Sequence, residues 1–307
     1  MADNISNETL EELAKVHIRD VKSKRRWRLI SRIIIALVVI FFIISAFLSK
    51  SDDLSPHIAL IKVSGIIAED SEANSSRIIE SLDNAYKNSN VKGVIVQINS
   101  PGGSPVESDD IYNHMIYLQE KHPDIPMYAV CTDLCASGGY YIATGAKEIY
   151  TNKMTITGSI GVIGSGFGFT GLMDKIGVER RTYTAGKNKG FLDPFTPQNP
   201  EQKKEFEKIL KQTHRVFMDA VEKSRGDRLK DRSLETTFSG EPFSGIEAKD
   251  LGLIDGFASV SELKRNKLDD LPIIDYTQPL DFFTNLSSKI GNGVYYKALS
   301  ESGVSLK

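Results

Sequence analysis

The sequence predicts an α/β fold in which parallel strands alternate with helices. Beyond residue 56, short β-prone apolar runs alternate with segments whose apolar residues have helical spacing. One of these runs, Val91–Ile98, is almost continuously apolar, as expected for a strand buried on both faces. Because parallel strands are joined by crossover helices, functional loops are expected at the carboxyl ends of the strands.

Eight segments after residue 56 define the predicted elements. Strands are predicted at His57–Val63, Val91–Ile98, Pro126–Val130 and Glu148–Thr151. Helices are predicted at Ser76–Tyr86, Ile111–Leu118, Gly138–Thr144 and Gln202–Ser224. The last helix is long and amphipathic, with Pro200 near its start and Gly226 at its end. Residues 238–256 are expected to add a turn, a helix and a strand.

The composition indicates a globular protein with a substantial core. The 307 residues are 40% hydrophobic and 25% charged, which are ordinary values for folded domains. The net charge is −2, and the body of the chain has no basic face. A nucleic-acid partner is therefore not expected.

The N-terminal region combines a basic cluster with an uncharged apolar run. Residues 22–32 contain six lysines and arginines, whereas residues 33–48 contain no charged residue. A membrane-spanning helix needs about 20 apolar residues, so a transmembrane anchor is predicted at 29–48. The positive-inside rule places residues 1–28 in the cytoplasm and the rest of the chain outside it. A cleaved signal peptide is the alternative, but the preceding segment is long for one and no cleavage site is evident.

Cys131 and Cys135 are the two cysteines of the chain. Without histidines at ligand spacing they make a poor metal site, and no metal or cofactor is expected. A disulfide could form in an oxidising compartment. The apolar surroundings favour two buried core thiols instead.

Two glycine-bearing turns stand out. The first, Asn99-Ser100-Pro101-Gly102-Gly103, directly follows the buried strand and could expose backbone N–H groups to an anion. A tight turn without chemistry would explain the same residues. The second turn places Ser137 between small residues at a strand-to-helix junction, which is the layout of a nucleophile. A helix N-cap is the commoner use of a serine at that position.

The two turns together are more specific than either one. A nucleophilic serine needs hydrogen-bond donors on the far side of the carbonyl that it attacks. The N–H groups of Gly103 and Gly138 would supply these donors if adjacent strands bring the two turns together. No carboxylate lies in the nucleophile turn.

Five motifs in order resemble the signal peptide peptidase A family. They read QINSPGG, ASGGYYIA, TGSIGVIG, AGKNKGFLDPF and FSGIEAKDLGLID, and the resemblance covers about residues 57–260. The resemblance implies the ββα repeats of the Clp protease and crotonase superfamily. It also implies a nucleophile at Ser137, a general base at Lys189, an orienting residue for that lysine at Ser159, and an oxyanion hole at Gly103 and Gly138.

The lysine assignment has a neighbouring competitor in Lys187. The register to Asp193-Pro194-Phe195 in the family favours Lys189. A lysine acts as a base only when its amine is neutral, and burial favours that form. Gly190 stands where many relatives have an acidic or hydroxyl residue. None of the five histidines lies in a motif resembling a catalytic triad.

The chain is thus expected to have five parts: residues 1–28 in the cytoplasm, an anchor at 29–48, a linker at 51–56, a Ser-Lys peptidase domain at 57–265 and an extension at 266–307. The resemblance implies cleavage of remnant signal peptides outside the bacterial cytoplasmic membrane, on its periplasmic side, by a homo-oligomeric ring whose dyad can span two subunits. Small residues around the serine suggest a narrow pocket. A crotonase-like acyl-CoA enzyme, a sibling membrane peptidase and a non-catalytic scaffold are the alternatives.

Overall fold

The computed structural model describes residue 17, residues 25–42 and residues 55–279. The chain divides into two units, Met1–Ser55 and Pro56–Lys307. In the first unit, residues 25–42 form a helix. Within the described ranges, no helix combines the length and apolar character needed to cross a membrane. The expected anchor at 29–48 continues past residue 42, and that continuation lies outside the described residues.

A mostly parallel sheet forms the centre of the second unit. Its described strands are β1 (His57–Ser64), β2 (Val91–Ser100), β3 (Met127–Ala136), β4 (Glu148–Thr151), β5 (Ile156–Gly158), β6 (Pro242–Ser244), β7 (Gly256–Phe257) and β8 (Ile273–Asp275). They follow the order β6-β5-β3-β2-β1-β8, with β4 beside β3 and β7 beside β4. Every pair is parallel except β5 with β6. The predicted α/β fold with a parallel sheet is confirmed.

Most of the described helices begin after a residue whose side chain caps them. The helices of the second unit are α1 (Ser75–Lys87), α2 (Pro105–Lys121), α3 (Gly138–Ala143), α4 (Thr170–Ile176), α5 (Pro200–Arg225), α6 (Gly245–Leu251) and α7 (Val260–Lys267). The side chains of Asn74, Ser104 and Asn199 each accept a first-turn N–H. These side chains satisfy donors that would otherwise lack a partner at the start of α1, α2 and α5.

The sheet is covered on both faces, which explains the apolar run in β2. The larger core includes alternate residues of β1 and β2, packed with residues of α1, α2, α3 and α5 that include Leu82, Met115, Ile142 and Val221. The smaller core joins Ile58, Leu60 and Ile95 to Leu263 of α7 and to Leu268. Because β2 contributes to both cores, its sequence shows no alternation of apolar and polar residues.

Two elements extend well beyond their predicted limits, and the sheet extends beyond the expected domain. Helix α2 begins at Pro105 rather than Ile111, because Ser104 caps it and proline suits the first helical position. Strand β3 continues to Ala136 because its second half pairs with β5. Strand β8, in the expected extension at 266–307, pairs with β1, so the sheet continues past residue 265.

Cys131 and Cys135 form a disulfide, so the expectation of two buried thiols was wrong. The reason is an irregularity in β3. Ile98 pairs with Cys131 and Ser100 with Cys135, so two steps along β2 correspond to four steps along β3. The extra residues bring the two Cα atoms within 5.5 Å, whereas four steps of regular strand would span about 13 Å.

Candidate active site

The two glycine-bearing turns lie side by side at the carboxyl edge of the sheet. Strands β2 and β3 are adjacent and parallel, and Ser100 at the end of β2 pairs with Cys135 near the end of β3. The chain therefore leaves both strands at the same edge. The sequence analysis required adjacent strands to bring Gly103 and Gly138 together, and β2 and β3 are adjacent.

Hydrogen bonds fix the turn after β2. The amide of Gly102 donates to the buried Ser100 hydroxyl at 3.0 Å, and the Asn99 side-chain oxygen accepts from the Leu134 amide at 3.2 Å. Gly103 forms an isolated parallel bridge with Ile67. In that bridge, the amide of Ile67 donates to Gly102 and its carbonyl accepts from Ser104. The N–H of Gly103 is not used in the bridge and points away from Ile67.

Gly103 and Gly138 line the same cavity, and neither position has room for a side chain. A Cβ atom on Gly138 would lie 2.4 Å from the Ser108 hydroxyl and 3.3 Å from the Gly103 nitrogen. A Cβ atom on Gly103 would lie 2.0 Å from the Ile67 carbonyl oxygen. Among the described residues, neither amide donates a hydrogen bond. Two free amides that line one cavity are a candidate site for a negatively charged oxygen.

Ser137 has a strained backbone and an uncommitted hydroxyl. Its φ is 52° and its ψ is −124°, a conformation that costs a non-glycine residue about 1–3 kcal/mol. The Ser137 amide donates to Gly158 at 2.8 Å, which holds the bend against β5. Although Ser137 occupies the N-cap position of α3, its side chain makes no capping hydrogen bond. The hydroxyl is therefore not used to cap the helix and remains available for chemistry.

A cavity of about 400 Å³ opens beside these groups. Gly103, Ser137, Gly138 and Ser159, four of the five predicted site residues, line it together. Its apolar wall includes Val162, Val216 and Phe217. The other lining residues come from α2, α3 and α5 and from residues 161–163 and 239–240.

Ser159 follows strand β5 and also has positive φ, at 51°. Its hydroxyl donates to the Gly240 carbonyl at 3.0 Å, and its amide donates to Glu241 at 3.0 Å. These bonds fix the side chain at the cavity wall. The structure thus brings Ser159 to the site of Ser137.

Lys189 is the predicted residue that does not line the cavity. It is exposed, and its amide donates to Gly186 at 3.1 Å in a turn. Lys187 is also exposed, and its amine lies 4.0 Å from the Glu201 carboxylate. Within one chain, neither lysine amine is recorded in contact with the Ser137 hydroxyl.

The described histidines with ring contacts serve the packing of the fold. The His214 ring lies 3.0 Å from the carbonyl oxygen of Ile160 through Nε2, which must donate because a carbonyl only accepts. His114 contacts Asp83 at 2.8 Å. None of the described histidines lines the cavity of Ser137. Within the described ranges, no cluster of three or more potential metal ligands occurs.

Sequence reasoning missed several polar residues of this cavity, among them Asp109 and Tyr141. The Tyr141 hydroxyl donates to the Asp109 carboxylate at 2.6 Å. Burial first, and then this hydrogen bond, raise the pKa of Tyr141, so the phenol stays protonated. The available signal was the position of Tyr141, four residues after Ser137 and hence one helical turn away.

An α/β sheet that ends in a strained serine beside two free amides is an arrangement suited to acyl transfer through that serine. Sequence comparison identifies the family within this class of acyl-transferring proteins. Residues 119–271 match the model of Peptidase family S49. The chain belongs to this family, and its relatives place it with the SppA type.

Three relatives illustrate the match. The Enterococcus faecium protein that carries the name signal peptide peptidase SppA is 32% identical over 250 residues, covering 77% of this chain and 71% of that protein. The Arabidopsis thaliana chloroplastic serine protease SPPA is 30% identical, covering 75% of this chain and 34% of its own. The Na(+)/H(+) antiporter NhaA of Brucella abortus is 39% identical over 198 residues, covering 64% of this chain. The match spans only 26% of that antiporter.

Proposed function

We propose that this protein is a membrane-anchored serine endopeptidase in which Ser137 is the nucleophile and Lys189 the general base. The observation that carries the proposal is the free hydroxyl of Ser137, held in a strained bend beside the unpaired amides of Gly103 and Gly138. The backbone of Ser137 is fixed by the hydrogen bond from its amide to the Gly158 carbonyl, whereas its side chain makes no capping hydrogen bond. Membership of Peptidase family S49 supports peptide-bond hydrolysis as the reaction.

In the proposed reaction, the Ser137 oxygen attacks the carbonyl carbon of the scissile bond while its proton passes to the neutral amine of Lys189. The carbonyl oxygen becomes negative and accepts hydrogen bonds from the two glycine amides. The C–N bond then breaks, and the leaving amine takes the proton back from Lys189. Water then attacks the acyl carbon as the same amine takes its proton, the ester bond to Ser137 breaks, and the serine oxygen takes that proton from the amine. Ser159 is proposed to orient the amine.

A neighbouring copy of the chain is proposed to deliver Lys189 to the cavity. Lys189 is exposed and does not line the cavity of its own chain. The segment that carries it also exposes many apolar side chains, among them Ile163, Phe167, Leu172, Ile176 and Tyr183. Such a surface favours burial against a partner. Burial between subunits would also favour the neutral form of the amine, which a base requires.

We further propose that residues 29–48 anchor the enzyme in the bacterial cytoplasmic membrane, with residues 1–28 inside and the Clp/crotonase-like domain on the periplasmic side. The contrast between the basic segment 22–32 and the uncharged segment 33–48 supports this orientation. The Cys131–Cys135 disulfide supports an oxidising compartment. An enzyme tethered there would meet remnant signal peptides at a high effective concentration, and these are the proposed substrates.

The proposal is tested by incubating the purified full-length protein with defined signal peptides and identifying the products by mass spectrometry. The native chain is expected to cleave the peptides, whereas Ser137→Ala and Lys189→Ala lower the rate by at least about a thousandfold. Lys187→Ala is the matched control, because it removes a lysine from the same turn and should keep most of the activity.

Full turnover in Ser137→Ala would show that the serine is not the nucleophile. Loss of activity in Lys187→Ala with full activity in Lys189→Ala would reverse the assignment of the base. A protein that leaves every peptide intact but converts an acyl-CoA thioester would instead be a crotonase-like enzyme.

A further inference from the structure

One charged side chain lines the cavity that contains Ser137. Of the 16 residues that line it, Asp109 alone is an acidic or basic residue. Asp109 lies in the first turns of α2, directly after Ser108, whose hydroxyl is close to Gly138. In the described part of the chain, no lysine, arginine or histidine forms an ion pair with it. The carboxylate therefore brings an uncompensated negative charge into the cavity.

Among the described residues, only one oxygen of this carboxylate has a hydrogen-bond partner. Oδ1 accepts the hydroxyl of Tyr141 at 2.6 Å. Tyr141 itself is held by α3 and by the ring of Phe217, whose centroid lies 4.9 Å from its own. The tyrosine thus fixes the position of the carboxylate while Oδ2 stays free to accept hydrogen bonds from a ligand.

The rest of the cavity is suited to an aliphatic stem. Val162, Val216 and Phe217 supply apolar wall, and a volume of about 400 Å³ accommodates a long side chain. Tyr141 follows Ser137 by one turn of α3 and holds Asp109 by its hydroxyl, so the carboxylate and the nucleophile line the same cavity at separate positions. A cavity lined by apolar side chains and one carboxylate complements a side chain with a methylene stem and a cationic head.

We propose that Asp109 is a specificity-determining residue, which selects lysine or arginine at the substrate residue that supplies the attacked carbonyl. This inference rests on the proposed peptidase function. Lys189 from a neighbouring copy is a poorer partner for this carboxylate. A nearby negative charge favours the protonated form of an amine, which cannot act as a base. A lysine or arginine of the substrate can pair with the Asp109 carboxylate in its protonated form, because it does not have to act as a base.

The test uses two peptides that differ only at this residue, one with lysine and one with norleucine, which keeps the stem but lacks the amine. The native enzyme is expected to prefer lysine in kcat/KM by about 30-fold, the equivalent of about 2 kcal/mol. In Asp109→Asn the ratio should fall to within about threefold of unity, because an amide carries no charge. Asp110→Asn is the matched control, since the neighbouring Asp110 is exposed and does not line the cavity.

A second measurement separates this inference from the proposed function. The dissociation constants of both peptides are measured with Ser137→Ala, alone and combined with Asp109→Asn. One outcome is that the lysine peptide binds more tightly, that this preference is lost in Asp109→Asn, and that the native enzyme cleaves neither peptide. This outcome would support the role of Asp109 and reject the peptidase function. Cleavage of both peptides without lysine preference would overturn the inference and leave the peptidase intact. An equal fall in kcat/KM for both peptides in Asp109→Asn would also overturn the inference. Equal dissociation constants for the lysine and norleucine peptides would overturn it as well.

Discussion

The substitution Asp255→Asn is expected to destabilise the domain by breaking the buried ion pair between Asp255 and Arg225, which lies close to α3. The side chain of Arg225 at the end of α5 is fully buried, and its Nη1 and Nη2 lie 2.8 and 3.0 Å from the two oxygens of Asp255. Its Nε donates to Gly252 at 2.9 Å. In the same turn, the Leu253 carbonyl accepts the Tyr140 hydroxyl of α3 at 2.7 Å.

Asparagine at position 255 would turn an NH₂ group towards these donors and leave the guanidinium charge without its counter-ion. Removing one partner of a buried ion pair costs about 3–5 kcal/mol, so this loss is expected in the free energy of unfolding at pH 7. Asp250→Asn, at an exposed position of α6, is the control and should change it by less than about 0.5 kcal/mol.

The pH dependence follows from the pKa of Asp255. Burial alone would raise this pKa, but the hydrogen bonds and charge of Arg225 more than offset burial, so it lies below its ordinary value. A depressed carboxyl pKa stabilises the fold above the unfolded value of about 3.9, and the contribution is lost as pH falls through the folded pKa. The free energies of unfolding of the native and Asp255→Asn proteins, measured by urea denaturation, should therefore begin to converge as pH falls below about 4 and continue to do so through the lower, folded pKa. A native-like stability of Asp255→Asn at pH 7 would refute this reasoning.

Two further predictions concern the active site. The variants Ser137→Ala and Lys189→Ala, each inactive alone, are mixed in equal amounts and reassembled. If each dyad spans two subunits of a symmetric assembly, about a quarter of the sites hold both residues, and about a quarter of the native turnover should return. An inactive mixture would place the dyad within one chain. Gly138→Ala should lower kcat by about 100-fold or more with its far-UV circular dichroism retained, because the new methyl group would lie 2.4 Å from the Ser108 hydroxyl and 3.3 Å from the Gly103 nitrogen and would displace the turns that hold the two amides. A kcat close to the native value would remove Gly138 from the proposed oxyanion hole.

Much of the fold followed from local patterns in the sequence. Strand Glu148–Thr151 has the predicted limits, and the long helix predicted at Gln202–Ser224 is α5, Pro200–Arg225. The meeting of Gly103 and Gly138 could also be anticipated, because both follow strands of one parallel sheet. What the sequence left open was whether those two strands are neighbours, and the pairing of β2 with β3 answers this.

The features that were missed depend on contacts between distant parts of the chain. The disulfide forms because β3 leaves β4 and continues beside β5, and nothing within residues 127–136 reveals that exchange. Asp109 was overlooked because the predicted helix began at Ile111, which left this carboxylate in a loop. Its place in the cavity depends on the Ser104 cap of α2 and on Tyr141 from another helix.

The identity of the nucleophile is tested most directly by covalent labelling. A fluorophosphonate is incubated with the native full-length protein, and the modified peptide is located by mass spectrometry. The proposed mechanism predicts one adduct per chain, in which the Ser137 oxygen replaces fluoride on phosphorus, and slower labelling in Lys189→Ala. A folded enzyme that cleaves peptides but carries its adduct on another residue, or carries none, would contradict the assignment of Ser137.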